Sequence, residues 1–216
     1  MPTPEDSSAP VTIDRFFDPR GFTADAATST LTDPAGLRFV FAAPQFFRAV
    51  HLVLTRKDPT SWSSFLARCG RDCGRQIATN LDAELARLGE PTLGALPLES
   101  CLVFLERTFA AHGWGVLKID LADAADHGLV VARLTHSYFA EILPDVDDLV
   151  DVLPAALLQG FFEHISGEQL GCAEIACVRR GAPHCTFVIT AAERLDSVSS
   201  LFGRETAETI LARLKA

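Results

Sequence analysis

The chain has 216 residues, enough for one domain with a buried core and short for two. Its net charge of −9 disfavours binding to nucleic acid or to an anionic membrane surface, because both carry negative charge. No stretch has the roughly 18 apolar residues of a membrane span, and the acidic N-terminus lacks the pattern of a secretory signal, so we expect a cytoplasmic protein.

Two parts of the chain differ in composition. Residues 1–36 are rich in Pro, Ser, Thr, Asp and Ala without a sustained period, and they predict a largely irregular N-terminal arm. Residues 37–216 predict one ligand-binding domain. This domain begins with a short strand at residues 37–41 and a helix from Pro44, a residue that suits the first turn, to about Thr55.

Two amphipathic helices are predicted next. After a helix-start signal at residues 58–61, apolar residues recur at steps of three and four: Trp62, Phe65, Leu66, Cys69, Cys73, Ile77, Leu81, Leu85 and Leu88. This helix ends at Gly89, and residues 97–112 repeat the pattern. Gly70 and Gly74 lie beside the apolar face and permit a close contact with another helix.

The second half of the chain combines strands and helices. Strands are predicted at residues 114–120, 129–135, 172–178 and 185–190, and helices at residues 154–167 and 204–214. A hairpin loop at residues 179–183 joins the last two strands. This order predicts an α+β fold, with an antiparallel sheet of about four or five strands packed with helices on one side.

Two of the six cysteines flank the predicted hairpin loop. Cys177 and Cys185 lie on facing strands and Glu174 precedes Cys177 by three residues, so two thiols and a carboxylate surround one point. Zinc accepts sulfur and carboxylate oxygen and takes four donors in a tetrahedron. Two reduced, packed cysteines are the alternative, because free cysteine is among the most buried residue types. The spacing leaves both interpretations open.

The same region resembles the 4-vinyl reductase domain family. Three segments carry the resemblance. Residues 160–167 form a helix that contains one glycine and ends at another, and residues 174–177 place a glutamate three positions before a cysteine. Residues 181–187 have the pattern Gly-x-x-x-Cys-x-Phe. Residues 113–115 and 136–140 resemble earlier segments of the family. The resemblance covers residues 37–190. It implies the fold group of the nitric-oxide-signalling and Golgi-transport proteins, α/β modules that are often homodimers, and Gly70 and Gly74 suit such a contact.

The resemblance also implies a metal site. Family members that are sensor domains of aromatic-responsive transcription activators bind zinc through positions that correspond to Glu174, Cys177 and Cys185. Their fourth ligand is a cysteine, and the corresponding residue here is Asp151, a departure from the pattern. Aspartate can bind zinc, so the resemblance predicts a zinc site at these four residues. The alternatives for the fourth ligand are Asp147, Asp148, Cys172 and His184. Four protein ligands leave no open position for water, and such a zinc is structural rather than catalytic.

A ligand cavity is the second feature that the resemblance implies. His136, Ser137 and Tyr138 lie in the segment that resembles the cavity-facing part of the sensor members. We expect Trp114, His136, Tyr138 and Phe161 to line an apolar pocket with one or two polar groups, which would hold a hydrophobic or aromatic small molecule. Ordinary packing between sheet and helices is the alternative for each residue.

Three functions are compatible with these features. A sensor module that binds a small molecule is favoured. An enzyme or accessory protein in tetrapyrrole vinyl reduction is the second, but no nicotinamide or flavin motif, G-x-S-x-G elbow or H-E-x-x-H motif is present, and we predict no catalytic residue. A scaffold or tethering protein is the third, by analogy of fold alone.

Overall fold

The computed structural model describes residues 23–32, 38–40 and 42–216. A small antiparallel sheet near the N-terminus consists of β1 (Thr23–Asp25), β2 (Thr30–Thr32) and β3 (Arg38–Phe39). The rest of the predicted N-terminal arm, residues 1–22 and 33–36, lies outside the described residues. Leu37 and Phe41, the predicted ends of the first strand, also lie outside them.

The fold class is α+β, as predicted. The helices that were expected from apolar periodicity are α1 (Pro44–Lys57), α2 (Ser61–Arg87), α3 (Leu98–Ala111), α6 (Val152–Ser166) and α8 (Ala207–Lys215). Three shorter helices were not predicted: α4 (Ala124–His127), α5 (Tyr138–Ile142) and α7 (Ala192–Val198). They are too short to show a clear 3.6-residue period. None of the helices within the described ranges is both long and apolar enough to cross a lipid bilayer.

The central sheet has four antiparallel strands in the order β4-β5-β7-β6. Their bounds are β4 (Val116–Asp120), β5 (Val130–Thr135), β6 (Leu170–Ala176) and β7 (Cys185–Ala191). The register of β6 against β7 shifts between Glu174, which lies opposite Phe187, and Ala176, which lies opposite Thr186. This bulge matters for the site, because residues three apart on a regular strand point to opposite faces.

Helices cover both faces of this sheet. Phe187 and Ile189 belong to the large core under α2, α3 and α6, whereas Val188 between them belongs to a smaller core with Leu195 and Ile210. That smaller core is formed by α7 and α8, which pack against β6. The sequence prediction placed helices on one side, and α7 and α8 add a thinner layer on the other. The reason is that β7 is buried along nearly its whole length, so both of its faces need cover.

The long helices α2 and α6 contact each other through their backbones. A Cβ atom on Gly74 would lie 2.1 Å from the Leu157 carbonyl oxygen, and one on Gly160 would lie 2.1 Å from the Arg71 carbonyl oxygen. The buried face of α2 therefore runs through Gly70, Gly74 and Ala78. Cys73, which the periodicity placed on the buried face, is exposed. The close helix contact predicted from the glycines exists, and it is formed within the chain.

One acid on α6 joins the same two helices. Glu163, whose side chain is 5% exposed, accepts hydrogen bonds from Arg71 at 2.7 and 2.8 Å and from Arg75 at 2.8 Å. Burial raises the pKa of Glu163, but the hydrogen bonds from Arg71 and Gln159 outweigh this effect and hold the pKa below its usual value. The ionised carboxylate therefore stabilises the packing of α2 on α6.

We predict that Glu163→Gln lowers the free energy of unfolding by about 2 kcal/mol at neutral pH. Because the pKa is lowered in the folded state, this contribution is present above the unfolded-state pKa near 4.5 and is lost as the pH falls through the folded-state pKa. Thermal unfolding of both proteins between neutral and acidic pH should show their Tm difference narrowing. Glu106→Gln, which removes a surface pair with Lys118, is the control. A Tm difference independent of pH would contradict the prediction.

Candidate functional site

Four groups with metal-ligand chemistry meet in the interior. Asp151, Glu174, Cys177 and Cys185 each offer one ligand atom, and these atoms all lie within 4.8 Å of one another. All four residues are buried, and the two sulfur atoms are 3.6 Å apart. These are the four residues that the sequence analysis named as metal ligands, and the fold brings all of them together.

The bulge in β6 explains how two of them share one face. Glu174 lies opposite Phe187, so it points to the same face as Phe187 and Cys185. The register shift then sets Ala176 opposite Thr186, and the sulfur of Cys177, the next residue, lies 3.6 Å from that of Cys185. Without the shift, Glu174 and Cys177 would point to opposite faces of the sheet. Asp151 reaches the cluster from the start of α6, where it is the N-terminal flanking residue.

Two carboxylate oxygens in the cluster have no hydrogen-bond partner in the part of the chain that the structure describes. Asp151 Oδ1 accepts a hydrogen bond from the Ser137 hydroxyl, and Glu174 Oε2 accepts one from the Asp151 backbone N–H at 2.8 Å. Among the described residues, the buried atoms Asp151 Oδ2 and Glu174 Oε1 have no hydrogen-bond partner, although the thiols of Cys185 and Cys177 lie close enough to affect the pKa values of Asp151 and Glu174. A buried carboxylate oxygen without a partner is costly. A cation bound at the centre of the cluster would give both oxygens a partner.

The close packing of the four groups shifts their pKa values. Burial raises the pKa of Asp151 to about 6 and, together with the charge of Asp151, raises that of Glu174 to about 10. The contact between the two thiols lowers the pKa of Cys177 and raises that of Cys185. Four such groups cannot all be ionised at this distance without a positive charge between them.

The donor set matches zinc better than other common cations. Two sulfurs and two carboxylate oxygens match, in number and type, the donors that a closed tetrahedral zinc site requires. Calcium and magnesium take oxygen ligands, so the two cysteines disfavour them.

A cavity of about 340 Å³ lies beside the first turn of α5, and its lining is mainly apolar. His112 stacks on Trp114 with ring centroids 4.6 Å apart. Phe47 packs edge-on against Tyr138 at 5.7 Å and against Phe139 at 5.9 Å. These five rings all belong to the lining. The shape and surface suit a flat apolar molecule.

The cavity also holds polar atoms. The Tyr138 hydroxyl is buried and has no hydrogen-bond partner among the described residues. His112 Nδ1 lies 2.8 Å from the Thr108 carbonyl oxygen, which can only accept, so this nitrogen donates and the neutral ring keeps Nε2 as an acceptor. A second cavity, of about 470 Å³, lies between the hairpin loop and the start of α8, and charged residues such as Arg204, Glu205 and Glu208 line part of it. The second cavity therefore suits an apolar ligand less well than the aromatic cavity does.

The four residues predicted for the pocket lie in three different places. Trp114 and Tyr138 line the aromatic cavity. His136 is exposed and has a φ of +57°, and it does not belong to the lining. Phe161 is fully buried in the large core, where it packs edge-on against Phe162. The lining residues that the sequence analysis missed include Phe47 and His112, and the only available signal for His112 was its position two residues before Trp114.

The comparisons with known proteins agree with the fold and the cysteine hairpin. Residues 130–191 match the family model of the 4-vinyl reductase domain, and this segment contains all four residues of the cluster. The fold is similar to the phenol-responsive sensory domain of the transcription activator PoxR, solved with phenol, with a TM-score of 0.63 and 15% identity. This similarity covers 91% of this chain and 93% of that one.

Two further solved structures are more distant. One is a vinyl-4-reductase family protein from Methanocaldococcus jannaschii, with a TM-score of 0.47, 19% identity and coverage of 70% of this chain and 83% of that one. The other is a trafficking protein particle complex subunit 3 from Naegleria fowleri, covalently bound to palmitic acid. Its TM-score is 0.44 and its identity 11%, over 68% of this chain and 91% of that one. No curated protein sequence matches this chain.

Proposed function

We propose that this chain, which carries a 4-vinyl reductase domain at residues 130–191, is the ligand-binding module of a sensor and holds a small aromatic molecule in the cavity beside Trp114 and Tyr138. The observation that carries the proposal is the Tyr138 side chain, which lines a mainly apolar cavity and whose hydroxyl is buried without a hydrogen-bond partner among the described residues. Such a hydroxyl is costly, and a ligand with one polar group would complete its hydrogen bond.

The size of the cavity supports a small ligand. A volume of about 340 Å³ lies at the low end of the range typical of ligand sites, roughly 300 to 1,000 Å³. Aromatic walls bind a flat ring by offset stacking and edge contacts. The sensory domain that shares this fold is described as phenol-responsive, so phenol is the natural first probe for this chain.

Tyr138→Phe tests the ligand proposal. This variant keeps the ring and removes the hydroxyl, so we expect the affinity for phenol to fall about 5- to 10-fold, the equivalent of about 1 to 1.4 kcal/mol for one hydrogen bond. Isothermal titration calorimetry gives the affinity. His136→Gly is the control, because His136 is exposed outside the cavity and glycine accepts its positive φ. No phenol binding by the unaltered protein, or an unchanged affinity in Tyr138→Phe, would contradict the proposal.

We further propose that Asp151, Glu174, Cys177 and Cys185 hold a structural zinc ion. When bound, zinc would offset half of the negative charge of the two carboxylates and two thiolates and fasten the β6–β7 hairpin to the start of α6. The two carboxylate oxygens without partners and the sulfur-rich donor set support this assignment. Elemental analysis of protein purified without added metal should find about one zinc per chain. Protein that contains no zinc and takes up none when it is added would refute the assignment.

Association into a homodimer stays a prediction from the family resemblance. Gly70 and Gly74, which suited a contact between copies, pack against α6 of the same chain and are buried there. They therefore do not support it. Light scattering of the purified protein measures the oligomeric state directly.

A further inference from the structure

One buried side chain lies between the candidate metal centre and the aromatic cavity. Ser137 is 4% exposed, and its hydroxyl donates a hydrogen bond to Asp151 Oδ1. The Ser137 oxygen also accepts a hydrogen bond from the Ala140 backbone N–H at 3.2 Å and so caps α5. The Ser137 hydroxyl thus donates its single hydrogen to the candidate metal ligand Asp151 and accepts a hydrogen bond from the backbone of α5.

The helix that Ser137 caps forms a wall of the cavity. Tyr138 and Phe139, the first two residues of α5, line the cavity. The Tyr138 backbone N–H donates to the Trp114 carbonyl oxygen at 3.3 Å, which ties this turn to a second lining residue. A change in the position of Ser137 would therefore disturb the first turn of α5, which carries two of the lining residues.

From this arrangement we infer that Ser137 is a positioning residue that makes the affinity of the cavity depend on occupancy of the metal centre. The inference rests on the proposed function, since it needs both a metal and a ligand. A cation on Asp151 fixes its carboxylate, and that carboxylate fixes the Ser137 hydroxyl and the first turn of α5. Without the cation, the unpartnered oxygens of Asp151 and Glu174 must find other partners, and the acceptor of the Ser137 hydroxyl moves with them.

Phenol titration of zinc-loaded and zinc-depleted protein tests this inference. We expect zinc-loaded protein to bind phenol at least about 5-fold more tightly, the lower end of coupling between sites. In Ser137→Ala the ratio of the phenol affinity of zinc-loaded protein to that of zinc-depleted protein should fall to about 1, the value for uncoupled sites. Ser137→Thr keeps the hydroxyl and the capping oxygen and should restore the ratio in part or fully.

A matched control separates coupling from the ordinary loss of a helix cap. Thr206 caps α8 through the same type of hydrogen bond, accepted from the Thr209 backbone N–H at 3.3 Å, and it belongs neither to the metal cluster nor to the aromatic cavity. Thr206→Ala should lower the Tm and leave the zinc-dependent ratio as in the unaltered protein. If Ser137 is merely structural, Ser137→Ala will behave in the same way, and the inference is then wrong.

The remaining outcomes are also decisive. Equal phenol affinities of the zinc-loaded and zinc-depleted unaltered protein overturn the coupling and leave the proposed function standing. Failure of the zinc-loaded protein to bind phenol overturns the proposed function itself. If zinc-depleted protein unfolds, zinc affinity is measured by competition with a chelator, with and without saturating phenol. Coupling is reciprocal, so phenol must tighten zinc binding by the same factor, and an unchanged zinc affinity refutes the inference.

Discussion

Replacing Gly74 by alanine is expected to destabilise the protein by roughly 3 kcal/mol or more. On an isolated helix the same change stabilises by about 1 kcal/mol, because alanine has the higher helix propensity. Here the new Cβ would lie 2.1 Å from the Leu157 carbonyl oxygen and 2.9 Å from the Phe161 nitrogen, both of them backbone atoms. Backbone cannot change rotamer, so α2 and α6 must separate. A loss of stability in Gly74→Ala would thus show that the contact with α6 dominates, whereas a gain would show that helix propensity dominates.

Urea denaturation followed by circular dichroism measures this effect. For a domain of this size, a loss of about 3 kcal/mol corresponds to a fall in Tm of about 6 to 12 °C. Ser64→Ala, at an exposed position of the same helix, serves as the control and should change stability by less than about 0.5 kcal/mol. Gly160→Ala should match Gly74→Ala, because its Cβ meets the Arg71 carbonyl oxygen at the same distance. An unchanged or higher stability in both glycine variants would mean that the helices are not in backbone contact.

Replacing Cys185 by alanine is expected to weaken zinc binding by more than about 100-fold. Loss of a residue that only supports a ligand costs roughly 10- to 100-fold in metal affinity, and loss of a ligand should cost more. A metal present at about 1,000 times its dissociation constant contributes about 4 kcal/mol to the free energy of unfolding, and this contribution would disappear. Zinc content by elemental analysis and Tm with and without a chelator are the two readouts.

Cys172→Ala is the matched control for this experiment. Cys172 lies on β6 two residues before Glu174, and it is a free thiol outside the cluster of four. Its variant should keep one zinc per chain and a Tm that falls on addition of chelator. Asp151→Cys should bind zinc more tightly than the unaltered protein, because it replaces a hard oxygen by a third thiolate. Retention of stoichiometric zinc by Cys185→Ala would remove this residue from the metal site.

The sequence alone determined the features that depend on local order. The steps of three and four in α2 and α3, and the short apolar runs of β5 and β7, follow from helix and strand geometry and were predicted close to their bounds. Three residues of the cluster were also predictable, because Glu174, Cys177 and Cys185 lie at short spacings around one hairpin, and the family resemblance added Asp151.

Only the tertiary structure decided the features that depend on a partner element. The apolar pattern assigned Cys73 to the buried face of α2, but that face carries Gly74 because α6 approaches too closely for any side chain. Glu174 and Cys177 share one face of the sheet because of a bulge in β6 that spacing does not reveal. His136 lies outside the cavity. His112 lines it, because the end of α3 and the start of α5 both border the cavity. Periodicity reports which face of an element is apolar, whereas the position of the neighbouring element decides what that face contacts.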